Sequence, residues 1–349
     1  MLNICMVGHG MMGVWHSEAL TGVPEAQLHT VVGRPPAPEG TTGRAPTVGR
    51  KPPTTEEFAA GYGYKKWTTD LREALADPEV DIVLIAGPSE THADMALASL
   101  EAGKHTLVEI PIAMNLADSE RVVAAARERG LTLGVVHPMR FRAERQPVVD
   151  RIHRGVERVT HHQGRFFIHR LQNVGATGLQ RSWTDNLLWH HTTHLVDIGL
   201  WMVSGGDMSS ADDRIRRVYS AYPPIDERTG IPMELVVVIE THDDQTVVIT
   251  GSYYSGEFVY DTLAVTDRDS YRIDERRSVM YTADGEQHIA SEQQNAELIA
   301  PDFVRAVAEG REPKVPGWSV LPAMRVLHRV QEDWDAKHGK QVLPGRPVT

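Results

Sequence analysis

Apolar positions in the first part of the chain fall in short runs, separated by stretches with helical periodicity. Leu2–Val7 and Asp81–Ala86 are almost wholly apolar, the texture of strands buried on both faces of a parallel sheet. Gln27–Val32, Thr106–Val108 and Leu131–Val136 read as further strands, and Tyr64–Trp67 as a short edge strand. Helical patterns begin after Gly13, at Leu71, after His92 and at Leu116. Strand and helix alternate at βαβ spacing, which predicts a doubly wound parallel α/β domain over residues 1–138. Beyond Pro138 the pattern changes to period-two strands: Val159–Arg170, Ile215–Tyr222, Met233–Thr241, Thr246–Tyr254 and Phe258–Thr266. They follow one another without crossover helices, so residues 139–349 are expected to form an α+β domain on an open, mainly antiparallel sheet. A helix at about 320–335 is expected to pack back on the first domain.

The segment 33–53 breaks the alternation. It holds six prolines and four glycines, so it predicts a long irregular loop. Its Arg44, Arg50 and Lys51 are candidates for closing over the adenosine end of a cofactor.

Composition narrows the function. The 349 residues, 41% hydrophobic and 24% charged, suit an ordinary two-domain globular protein. A net charge of −11 argues against general nucleic-acid or anionic-membrane binding, which needs a basic face. Cys5 is the one cysteine, so there is no intramolecular disulfide and no thiolate metal cage. With no apolar run near the ~20 residues of a membrane helix and no signal-peptide pattern, a cytoplasmic location is expected.

Gly8-His9-Gly10-Met11-Met12-Gly13 follows the first strand and opens a helix. In that context G-x-G-x-x-G is a dinucleotide fingerprint, its glycines serving the turn, the approach of the diphosphate and helix packing. The diphosphate belongs on the helix N-terminus, where free N–H groups favour an anion. The second strand runs into Gly33-Arg34, where an NAD site would carry a carboxylate. An arginine suits the 2′-phosphate, so NADP is expected, with NAD possible. Pro88, His92, Glu109, Pro111 and His137 lie at other strand C-terminal ends, the ligand side of such a sheet.

Chemistry concentrates in Arg181-Ser182-Trp183-Thr184-Asp185-Asn186-Leu187-Leu188-Trp189-His190-His191-Thr192-Thr193-His194-Leu195-Val196-Asp197. On a helix, His190 and His194 share a face with Asp197, while His191 points roughly 100° from His190. Imidazole titrates near neutrality, so the group suits proton transfer. His190 and His194 also have zinc-helix spacing, but His191 stands where H-E-x-x-H needs glutamate and no third ligand is evident, so no metal is expected.

With these motifs in place, the chain resembles the Gfo/Idh/MocA oxidoreductases. Glu109-Ile110-Pro111 matches their Glu-Lys-Pro, with Ile110 in place of the lysine that touches the reacting hydroxyl. His190, His194 and Asp197 match their Asp-x3-His-x2-Asp, with histidine for the first aspartate. Both departures, together with Arg181–Asp185, Leu187–His191, Phe166-Phe167 and Arg170, resemble one branch, the bacterial 4-carboxy-2-hydroxymuconate semialdehyde dehydrogenases. The resemblance implies NADP-dependent oxidation of that semialdehyde's cyclic hemiacetal to 2-pyrone-4,6-dicarboxylate, in protocatechuate degradation by 4,5-cleavage. It also implies a homodimer or homotetramer assembled through the open sheet face. In that chemistry His194 is the candidate base, with a reference pKa of about 6.5, and Asp197 orients it. His190 stands in for the lysine. His191 and Trp183 frame the substrate, and Arg170, Arg181, Arg140 and Arg142 are candidates to grip the two carboxylates of a small anionic substrate. A sibling acting on a sugar acid, and a cofactor-binding sensor without turnover, are the competing readings. The intact base and its carboxylate weigh against the sensor.

Overall fold

A computed structural model describes residues 1–34, 53–172, 186–288 and 296–339. Most of the 33–53 loop, and with it Arg44, Arg50 and Lys51, lies outside the described residues, as do Arg181 and Trp183. The described chain forms two compact units, one from Met1–Phe141 and residues 296–318, the other from residues 142–172, 186–288 and 319–339.

In the first unit β1 (Leu2–Val7), α1 (Met11–Leu20), β2 (Ala26–Val32), α2 (Thr55–Tyr62), β3 (Lys66–Thr68), α3 (Leu71–Ala76), β4 (Ile82–Ile85), α4 (His92–Glu101), β5 (His105–Val108), α5 (Leu116–Arg129) and β6 (Leu133–Val135) alternate in order. The sheet order is β3-β2-β1-β4-β5-β6, and every pair is parallel. The order reverses beside β1, so the crevice at the C-terminal ends of β1 and β4 is the ligand side. Ile82–Ile85 are all buried, as two helix-covered faces require. Side chains cap the helices: Thr54 and Glu57 form a reciprocal box at α2, and Asn115 caps α5.

The second unit holds α6 (Gln146–His153), β7 (Val159–His169), α7 (Thr192–Val203), the short α8 (Ala211–Arg214), β8 (Ile215–Ala221), β9 (Glu234–Thr241), β10 (Thr246–Ser252), β11 (Tyr254–Thr266), β12 (Ser270–Asp274), β13 (Val279–Thr282) and β14 (Gly285–His288). They build an eight-stranded sheet, β14-β13-β12-β11-β7-β10-β9-β8. It is antiparallel except between β7 and β10, a long-range pair that strand succession along the chain does not foretell. On β9 and β10, Leu235, Val237, Ile239, Val247 and Ile249 point inward under α7, while the alternate residues face outward.

The C-terminal expectation needs correction. The segment that packs on the nucleotide domain is α9 (Ala296–Glu309), which lies along α1. The last helix, α10 (Leu321–His338), packs instead on α7 and β8 of the second unit. Its stripe of Met324, Leu327, Val330 and Trp334 is almost fully buried. Each such side chain contributes about 1.5–3 kcal/mol, which makes that face the anchor.

Candidate active site

The glycine turn of the first unit passes a steric test for a dinucleotide. Gly8 sits at φ +99°, and a Cβ there would fall 2.5 Å from the Ala86 carbonyl oxygen. A Cβ on Gly13 would overlap the Gly8 carbonyl, so both positions must be glycine for strand, turn and helix to close. Gly10, the residue that caps α1, faces open space where a diphosphate would approach. The Met11 and Met12 N–H groups begin the helix, and its first turn carries no acidic residue. Arg34 is exposed just beyond β2, and its charge, after burial, helps to hold the His9 imidazole below its ordinary pKa.

The loops after β4 and β5 are tied together by His92. Its Nδ1 lies 2.8 Å from the Pro111 carbonyl oxygen and its Nε2 3.1 Å from that of Gly87. The Thr91 hydroxyl donates to the Pro88 carbonyl at 2.7 Å. Glu109 is buried and meets His16 of α1, Nε2 to Oε1 at 2.8 Å. The sequence reading did not single out His16, although its spacing three residues after Gly13 places it on the buried side of α1. Ile110 is 4% exposed, so the position matching the family lysine offers no polar group. Arg140 is buried beside His137. Burial first, and then the Arg140 cation, hold the His137 imidazole well below its ordinary pKa.

The histidine segment of the second unit opens with a π turn, Leu187–His191, and continues as α7. Asn186 caps it, its side chain accepting the Trp189 N–H at 2.9 Å. A continuous α-helix was the expectation. The wider turn instead brings the His190 and His191 rings edge to face at 4.3 Å between centroids, with His190 and His194 at 6.2 Å. Such turns recur at functional sites because they displace side chains from the regular α-helical path. All three rings are half-buried, and Asp197, on the next turn, is fully buried. Glycines set the helix close to the sheet: a Cβ at Gly199 would meet Val247 at 2.5 Å, and one at Gly251 would meet Leu187 at 2.8 Å.

His191 is fixed from two sides. Its ring stacks on Phe166 at 3.7 Å, and its Nδ1 lies 2.9 Å from the Tyr253 hydroxyl. Arg170 donates its backbone N–H to the Tyr253 carbonyl at 2.8 Å and holds its guanidinium 5.6 Å from the centre of the Tyr253 ring. Tyr253 therefore joins the candidate site, and sequence reasoning missed it. The signal was the inward alternation Val247, Ile249, Gly251, Tyr253. Arg142, by contrast, is committed to Glu275, Glu144 and Ser278 in a buried ion cluster, which corrects its assignment to substrate. Replacing Tyr253 by phenylalanine removes one hydrogen bond to His191 and keeps the ring. We expect kcat/KM to fall about 3–10-fold, measurable by steady-state kinetics.

Comparison with known proteins bears on both units. Residues 2–137 match the model of the oxidoreductase family with an NAD-binding Rossmann fold (GFO_IDH_MocA), and residues 143–274 that of the bacterial oxidoreductase C-terminal domain. The chain is 28% identical to the 4-carboxy-2-hydroxymuconate-6-semialdehyde dehydrogenase of Sphingobium sp. (strain NBRC 103272 / SYK-6), over 95% of this chain and 98% of that one. It is 32% identical to the levoglucosan dehydrogenase of Pseudarthrobacter phenanthrenivorans over 42% of this chain and 35% of that one. A solved levoglucosan dehydrogenase, in complex with NADH and levoglucosan, superposes with a TM-score of 0.78 at 18% identity, covering 96% of this chain and 97% of the other.

Proposed function

This chain is built from the two domains of the Gfo/Idh/MocA oxidoreductases, and from that premise we propose that it oxidises the cyclic hemiacetal of 4-carboxy-2-hydroxymuconate-6-semialdehyde to 2-pyrone-4,6-dicarboxylate with NADP. The observation that carries the substrate is the match to the Sphingobium dehydrogenase along nearly the whole of both chains. The histidine-rich π turn and the apolar Ile110 agree with it, because sugar-type chemistry on this fold expects a lysine at that position.

In the reaction the hemiacetal carbon gives up a hydride and its hydroxyl gives up a proton. The chemistry supplied by a bound nicotinamide dinucleotide is acceptance of that hydride. His194 takes the proton, and Asp197, buried three residues further along the helix, is assigned to orient the ring. His190 hydrogen-bonds the reacting oxygen. Arg170, held against Tyr253, grips one carboxylate of the substrate, with Arg140 and Arg181 assigned to the same recognition. The preference for NADP rests on Arg34 beyond β2.

Self-association is assigned to the outward sheet face, where Val236, Val238, Val248 and Phe167 stay partly exposed, and a dimer or tetramer is expected in sedimentation. Among the described residues no helix is long and apolar enough to cross a membrane.

The deciding experiment mixes enzyme, freshly generated semialdehyde and either NADP or NAD, and follows reduced-nicotinamide absorbance. Rapid reduction of NADP with pyrone dicarboxylate as product is expected. A faster reaction with NAD would overturn the role of Arg34. Binding of NADP without turnover would move the substrate to another anionic ring compound, such as a sugar acid.

A further inference from the structure

The turn that receives the diphosphate carries a side chain which that task does not use. His9 stands between the first two glycines, half-buried, and its ring leaves the turn toward α2. Its Nε2 lies 3.2 Å from the Thr55 hydroxyl, and the ring packs against Phe58 with centroids 5.6 Å apart. Thr55 is itself seated on Gly33 so closely that any Cβ there would overlap it. The glycine turn, the end of β2 and the first turn of α2 therefore meet at one point, with Arg34 exposed beside it.

That point is where a Rossmann domain meets the 2′ position of the adenosine ribose. No carboxylate follows β2 to take the hydroxyls of NAD, since the strand runs into Gly33-Arg34. The charged groups on the packed elements are Arg34, Glu56 and Glu57, and Glu57 is held by the α2 cap, where its Oε2 accepts the Thr54 N–H at 2.7 Å. Among these described groups Arg34 acts on the ring. Burial first and Arg34 second keep the imidazole below its ordinary pKa, against an opposing contact with its own backbone. A dianion placed between ring and guanidinium would remove that repulsion and satisfy both groups.

We propose that His9 is a second recognition group for the 2′-phosphate of NADP, that the Thr55 hydroxyl orients its ring, and that phosphate binding is coupled to proton uptake by His9. This rests on the NADP reading above and extends it to a residue outside the β2 end. The sign follows from the free state. The ring is neutral at pH 7.5 when free, and a neighbouring dianion favours its protonated form, so binding draws a proton from solution. NADP affinity then rises as pH falls from the pKa of the bound form toward that of the free form, whereas NAD affinity stays flat. Working near pH 7.5 keeps the phosphate dianionic, since its own second pKa is about 6.

The test is calorimetric titration of the full-length protein with NADP, and separately with NAD, in two buffers of different ionisation enthalpy. Net proton uptake with NADP and none with NAD is expected. His9→Gln should abolish the uptake and weaken NADP binding about tenfold, with NAD binding unchanged as the check on folding. NADP preference without proton uptake in the wild-type protein, or an unaltered NADP/NAD ratio in His9→Gln, overturns the role of His9 while leaving Arg34 standing. Equal binding of the two dinucleotides by the wild type overturns the Arg34 reading itself, and this inference with it. Uptake in the wild type is decisive even if the variant does not fold.

Discussion

His194→Ala is expected to lower kcat by about 10²–10⁴-fold, the usual worth of a positioned base, while the dissociation constant of NADP stays unchanged. The split follows from where the residue sits. His194 is on α7, half-buried and three residues before the fully buried Asp197, in a helix that Gly199 and Gly251 hold tightly against the sheet. Removing its ring deletes a proton acceptor without disturbing the glycine turn or the His16–Glu109 pair of the nucleotide domain. His191→Ala makes a useful contrast. That ring stacks on Phe166 and meets Tyr253, so its loss should raise KM more than it lowers kcat. Steady-state kinetics combined with fluorescence titration of reduced cofactor separates the two. Undiminished turnover in His194→Ala would transfer the role of base to His190, whose ring lies within 6.2 Å.

The nucleotide domain was legible because its signals are local. Buried parallel strands write themselves as apolar runs, and the glycine turn has a fixed spacing in sequence, although Gly8 is needed for a close approach to Ala86 of the neighbouring strand and Gly13 for one to Gly8 itself. The second sheet was legible strand by strand but not in its pairing. β7 meets β10 in parallel across intervening helices and strands, and nothing in either strand's alternation records the partner. The histidine cluster was found from spacing alone. The π turn beneath it was not, since it shifts the hydrogen bonds by one residue without altering the apolar pattern. His16 and Tyr253 were missed for a different reason. A polar residue on an inward face reads as a tolerated exception until its partner, Glu109 or His191, is placed opposite. The last helix was placed in the second domain, but its packing on α7 and β8 was not legible, because an amphipathic stripe shows that a face is buried and not what buries it.

Arg142 shows the same limit for charge, and it leads to the largest expected loss of stability. Glu275→Ala should destabilise the protein by about 3–5 kcal/mol, the cost of stranding buried cations. The Glu275 carboxylate receives Arg142 Nε at 2.6 Å and also pairs with Arg145, all three side chains being at most 7% exposed. Arg142 reaches Ser278 at 2.9 Å, and Arg145 reaches Thr262 at 2.7 Å, but neither hydroxyl can neutralise a guanidinium. Nearby His162, with its pKa pushed down to about 3 by burial first and by Arg145 second, adds no charge of its own near neutral pH. Removing the carboxylate therefore takes an anion from two buried cations at once, and Glu144, 3.4 Å from Arg142, is left to face the first of them. The double replacement Arg142→Met with Glu275→Leu should cost less than Glu275→Ala, because only one cation is then left without its partner. Urea unfolding of both variants measures the difference, and a loss below about 0.5 kcal/mol in Glu275→Ala would show the cluster to be energetically idle. Kinetics completes the argument. Well below its unfolding transition, Arg142→Met should keep the KM of the wild type, since a guanidinium saturated by Glu275, Glu144 and Ser278 has no face left for a substrate carboxylate.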